Sequence, residues 1–145
     1  MKTVKYPIIV ASTFIWIGFV CAISFMEAWL KFQAPGVTIP LGLGIGRIVF
    51  NALNNVEWFC AIVIVITFLY HKNQVVSRDN LMYLIPMLVL VVQTFWLLPV
   101  LDERAEATIA GKALTPSNLH VYYVGMEIMK VACLAVFGIK QFKTT

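Results

Sequence analysis

Glu27, Arg47, Asn51, Asn54, Glu57, Asp102, His120, Tyr123, Glu127 and Lys130 are the side chains of this sequence best placed to do chemistry. Most of them interrupt long apolar runs. A charge in such surroundings is costly unless it is paired, so it marks either a structural ion pair or a working site. Three chemistries suit the set. A satisfied salt-bridge and hydrogen-bond network would fix helix register, as in a structural subunit of a membrane complex. A polar carboxylate-bearing site would bind or pass a small ion or polar ligand. An enzyme would use Glu127 or Glu57 as general base and Arg47 as the electrostatic stabiliser.

Metal chemistry is a separate expectation. Glu27, Glu57, His120 and Glu127 offer oxygen and imidazole ligands for a single metal ion. A di-iron bundle site needs a Glu-x-x-His pair on each of two helices, and this sequence contains no Glu-x-x-His. Bis-histidine haem fails on depth, because His120 and His71 fall at opposite ends of the expected bundle.

Spacing groups these residues. At about 100° per residue, Arg47, Asn51 and Asn54 share one narrow helical stripe, with Glu57 one step round from it. His120, Tyr123, Glu127 and Lys130 form a second stripe at i, i+3, i+7 and i+10. Two polar stripes on apolar helices are predicted to face one another. Glu57 or Glu127 would then pair with Arg47 or Lys130.

The elements that must position them are membrane spans. The chain has 145 residues, 61% hydrophobic and 12% charged, against roughly 25% charged in a soluble domain. Its mean hydropathy is +0.87. A soluble domain this small cannot bury so much apolar surface. A helical span needs about 20 mostly apolar residues, and four segments qualify: about Pro7 to Leu30, Leu41 to Tyr70, Leu81 to Leu101 and Pro116 to Ile139. The runs are long and do not alternate, which favours helices over barrel strands. The expected fold is all-α: a polytopic membrane protein with one four-transmembrane-helix bundle over residues 1–145. The first span is too long for a signal-peptide core and is expected to stay in the membrane.

Connections and charge set the topology. Pro35, Gly36 and Pro40 mark a turn-rich loop. Gly42, Gly44 and Gly46 predict an irregular or closely packed start to helix two; no strand precedes them, so a phosphate loop is not indicated. The run from Asp102 to Leu114 favours an extension of helix three or an interfacial helix. Thr115 and Pro116 read as the cap and first residue of helix four. Lys2, Lys5, Lys72, Arg78, Lys140 and Lys143 fall on one side. The positive-inside rule therefore places both termini in the cytoplasm, in a plasma or inner membrane. Glu27, Arg47, Glu57, His120 and Glu127 then lie in the outer half, with Glu57 and Glu127 at similar depth.

The remaining polar and aromatic groups have plain readings. Gln93 is an interhelical hydrogen-bonding residue. Trp16, Trp29, Trp58 and Trp96 are lipid or interface anchors. Asp102, Glu103 and Glu106 are a solvated face that could gather cations at the mouth of the site. Cys21, Cys60 and Cys133 are free thiols acting as small hydrophobes. No basic tract with interleaved aromatics points to nucleic acid. The partners expected are the lipid bilayer and either further copies of the chain or other membrane-complex subunits.

The stretch Leu98-Pro99-Val100-Leu101-Asp102-Glu103-Arg104, followed after a linker by Leu119-His120-x-Tyr122, resembles the uncharacterised four-helix membrane family that includes transmembrane protein 205. Gly46-Arg47 is similar to the opening of helix two in its bacterial members. That resemblance implies the same four-helix membrane fold and carries over no catalytic residues. A second resemblance is to the membrane-associated eicosanoid and glutathione metabolism family, through Arg47-x6-Asn54-x2-Glu57. It would imply a trimeric glutathione-dependent enzyme of glutathione-transferase-like type. Phe50 stands where that family carries a further arginine.

Overall fold

The computed structural model describes residues 2–4, 6–72 and 80–144. Four helices in it are long and apolar enough to cross a membrane: α1 (Pro7–Gln33), α2 (Ile39–Tyr70), α3 (Leu81–Ile109) and α4 (Leu119–Lys140). The chain is an integral membrane protein of all-α, four-helix type. A three-residue strand β1 (Lys2–Val4) pairs antiparallel with β2 (Phe142–Thr144), which brings the two chain ends to one end of the bundle. The α1–α2 and α3–α4 loops lie at the other end. Lys5 and Arg78, both used in the charge count above, fall outside the described residues.

Sequence neighbours are neighbours in space. α1 packs on α2, α2 on the second half of α3, the first half of α3 on α4, and α4 closes back on α1. Each helix buries one stripe at spacings of three and four. On α1 the stripe is Ile9, Thr13, Trp16, Val20 and Ser24; on α4 it is Tyr123, Glu127, Lys130, Leu134 and Phe137. The opposite faces carry exposed Phe59, Leu69, Leu88 and Phe95, whose solvent is lipid.

The half of the bundle next to the chain ends is a mainly apolar core. Ile9, Ala61, Ile64, Phe68, Tyr83, Leu90, Leu134 and Phe137 are all buried in one cluster. Its hydroxyls are satisfied locally: Tyr83 donates to the Ala61 carbonyl at 2.7 Å and Thr13 to the Ile9 carbonyl at 2.7 Å. The polar groups gather above this plug, towards the loop end.

Several boundaries differ from the sequence reading. α2 begins cleanly at Ile39, with Thr38 capping the Leu41 N–H and a proline in the first turn. Gly42 and Gly46 serve close packing: a Cβ on Gly42 would collide with the Phe32 ring, and one on Gly46 would stand 3.0 Å from Lys31 Nζ. α3 runs on past Leu101 to Ile109 and stops at Gly111, whose φ of +78° lets the Lys112 N–H turn back to the Ala107 carbonyl at 3.0 Å. α4 starts at Leu119, not at Pro116. The Thr115 carbonyl is taken instead by Arg104 Nη2 at 2.5 Å, which holds Thr115 and Pro116 in the loop.

Two helices contain a wider, π-helical turn: Cys21–Glu27 in α1 and Gln93–Leu97 in α3. Such turns shift side chains off the regular α-helical face and recur at working sites. Both carry a residue of the buried polar cluster.

Candidate functional site

Near the middle of the bundle, one ammonium sits between two carboxylates. Lys130 Nζ donates to Glu57 Oε1 from the facing helix and to Glu127 Oε1, one turn back on α4, at 2.7 Å. All three side chains are sealed, with Glu57 1% and both α4 residues 0% exposed. The other two helices complete the shell. From α1, Trp16 Nε1 donates to Glu57 Oε1 at 2.8 Å and Ser24 Oγ to Glu127 Oε2 at 3.0 Å. From α3, Gln93 Nε2 donates to Glu127 Oε1 at 2.7 Å. The Gln93 Oε1 atom is buried and has no hydrogen-bond partner.

A pocket of about 320 Å³ lies between this cluster and the loop end. Phe32, Leu43, Phe50, Leu98 and Leu101 give it apolar walls, while Lys31, Arg47, Asn51, Asp102 and His120 supply polar groups. The charges at its rim are paired. Arg47 grips Asp102 through two bonds, of 2.6 and 2.9 Å, with Glu106 at 3.8 Å. Lys31 pairs with Glu27 at 3.2 Å. Tyr123 belongs to both layers. It lines the pocket and stacks edge-on against Phe50 at 5.4 Å, with Ser24 near its hydroxyl.

The structure thus divides the sequence-derived set. Glu57, Glu127 and Lys130 meet in the sealed cluster. Arg47, Asn51, Asp102, His120 and Tyr123 meet at the pocket. Asn54 belongs to neither: its Oδ1 accepts from Thr94 on α3 at 2.8 Å, and Trp58 Nε1 donates to the same Thr94 oxygen at 2.9 Å. Glu27 reaches the pocket only through Lys31. Arg47 pairs with Asp102 and not with the buried carboxylates, so the stripe on α2 splits between two neighbouring helices.

The expected single-metal set is corrected by this geometry. Glu27 is held by Lys31, His120 is exposed at the rim, and Glu57 and Glu127 are bridged by an ammonium. Among the described residues no three His, Cys, Asp or Glu side chains gather so as to hold a metal ion. Asp102 stays partly exposed, as expected of a solvated face, and is also the main partner of Arg47.

Trp16 is a second correction. It is fully buried and donates to Glu57, so it is no lipid anchor. Trp29 and Trp96 are exposed as expected for such anchors. Ser24 was the residue that sequence reasoning missed. A lone serine inside an apolar run carries no distinguishing signal, and the π-helical turn that aims it leaves none either.

Arg47, Asp102 and His120 line the pocket, and Arg104 fastens the loop beside it. A scan against protein-family models, a search of curated proteins and a search of solved structures each returned no match.

Proposed function

We propose that this membrane protein binds a small ion or polar ligand, taken in from the loop end of the bundle through the pocket floored by Tyr123. One observation carries the reading: two buried carboxylates share a single buried ammonium. A network built only to fix helix register needs one carboxylate per cation, because an uncompensated charge in a low-dielectric interior is strongly unfavourable. The second carboxylate creates a demand that a positively charged or hydrogen-bond-donating ligand meets.

The reading favours binding over passage. The pocket approaches the cluster from one side, and the apolar plug around Ile64, Tyr83 and Phe137 stands on the other. The charge distribution supports both termini facing the cytoplasm of a plasma or inner membrane, since Lys72 and Lys140 lie at the chain-end side. The pocket then opens away from the cytoplasm.

Native mass spectrometry of the protein released gently from its own membrane tests the proposal. A retained mass that disappears in both Glu57→Gln and Tyr123→Ala, with the chain still folded, is the expected result. A bare chain whose variants lose only assembly with other subunits would move the assignment to a structural role.

A further inference from the structure

We propose that the ligand of the buried cluster is a proton, and that Glu127 is the carboxylate that carries it. The inference rests on the reading of this cluster as a binding site and names its occupant. It begins with the space available. Lys130 already bonds to both carboxylates, so a metal ion would have to stand beside an ammonium. A hard cation also seeks about six oxygen ligands. The pocket that approaches the cluster stops at Tyr123. A proton needs neither room nor a coordination shell.

The two carboxylates differ in what surrounds them. Glu57 faces donors only: the indole N–H of Trp16 and the ammonium of Lys130. Neither group can accept a hydrogen bond, both occupy Oε1, and among the described residues no hydrogen-bonding group meets Oε2, so an O–H on Glu57 would find no acceptor. Glu127 is surrounded differently. Besides Lys130, it meets the Ser24 hydroxyl and the Gln93 amide, and each of these both donates and accepts. Gln93 supplies the independent sign. It is 1% exposed, donates its N–H to Glu127, and keeps its Oε1 without a partner. Rotation of that amide by half a turn presents the oxygen to Glu127. Its two ends thus match the two protonation states of one carboxyl group, the nitrogen serving the carboxylate and the oxygen serving the acid.

The ionisable groups facing Glu127 are few. α2 contributes Glu57, with Cys60 one turn further in. Tyr123 and Lys130 lie on its own helix. From α1 and α3 come the non-ionising Trp16, Ser24 and Gln93. With Lys130 and Glu57 held as an ion pair, an O–H bond formed at Glu127 takes the cluster from one net negative charge to neutrality.

Tyr123 and Ser24 connect the pocket to Glu127. A hydronium ion in the pocket gives its proton to the Tyr123 oxygen and leaves water. Tyr123 turns to release its original proton to Ser24, Ser24 gives its own to Glu127 Oε2, and a half-turn of the carboxyl group brings that O–H to Gln93, which meets the other oxygen. Each hydroxyl ends neutral, and rotation about its C–O bond resets it. The same chain run backwards returns the proton to the pocket.

Infrared difference spectroscopy of the full-length protein in lipid nanodiscs tests this. The wild type at neutral pH is expected to show the carbonyl stretch of a protonated carboxylic acid, and transfer to D2O is expected to shift it promptly. Glu127→Gln should remove the band, Glu57→Gln should remove it too because Lys130 is then left to pair with an ionised Glu127, Ser24→Ala should shift it by taking away a partner of the Glu127 carboxyl group, and Tyr123→Phe should slow the deuterium shift. Several outcomes would overturn the proposal. The acid band could be absent from the wild type between acid and alkaline pH, or could persist in Glu127→Gln. The carboxylate bands could respond to Na⁺ or K⁺ in place of protons. The wild-type measurement stands alone if a variant fails to fold. A clear acid band in a protein that retains no other mass keeps this inference and narrows the broader reading to protons. A retained ligand with no acid band sinks this inference and leaves the broader reading standing.

Discussion

At the residue scale, the environment of each carboxylate decides what it can do, and neutral donors matter as much as charges. Trp16 illustrates this. Its N–H is bonded to a buried carboxylate, and a hydrogen bond to a charged group contributes about 1.5–3 kcal/mol. Trp16→Phe is therefore expected to lower unfolding stability in detergent by about that amount. Trp29 bonds only to the Phe25 carbonyl on its own helix and is exposed, so Trp29→Phe is expected to stay within about 0.5 kcal/mol of wild type. Equal losses from the two would contradict the assignment. The sequence made Glu57, Glu127 and Lys130 legible, because a charge inside an apolar run has few cheap explanations. Gln93 was legible as an interhelical bonding residue for the same reason. Trp16 and Ser24 were not, since an indole or a hydroxyl costs little on either face of a membrane helix and leaves no periodic trace.

At the element scale, small residues and wide turns bring the polar groups together. Gly42 lies under Phe32, and both line the pocket. Gly44, two residues on, has open space where a Cβ would be. Gly→Ala favours a helix by about 1 kcal/mol, so Gly44→Ala is expected to be neutral or stabilising. Gly42→Ala must push the Phe32 ring aside, and overpacking of this kind costs about 1–3 kcal/mol. Comparison of the two thermal midpoints checks the difference, with Gly42→Ala expected below Gly44→Ala. The Arg47–Asp102 bridge ties α2 to α3 at the rim, yet its side chains are 31% and 38% exposed. A double-mutant cycle on the pair is expected to return a coupling of about 0–1 kcal/mol; a larger value would mean that the pair is shielded from water. Helix number, order and the extension of α3 could be read from hydropathy and from the Ala and Glu content after Asp102. The start of α4 could not. Thr115-Pro116 has the local chemistry of a helix start, but the contact from Arg104 that holds it in the loop is tertiary.

At the scale of the whole molecule, one site joins all four helices: Trp16 and Ser24 from α1, Glu57 from α2, Gln93 from α3, Glu127 and Lys130 from α4. Lys130 is the group on which the others converge. The central claim is that its single charge is set between two buried carboxyl groups, one more than it can neutralise as carboxylates. Stability of the full bundle in Lys130→Met measures this most directly. Breaking a buried pair by removing one partner costs about 3–5 kcal/mol, and Lys130 is the cation against which both buried carboxyl groups are set. The account predicts a loss of at least that size by denaturant or thermal unfolding, with partial recovery when Glu57→Gln is added to Lys130→Met. Wild-type stability in Lys130→Met, or a further loss on adding Glu57→Gln, would contradict it.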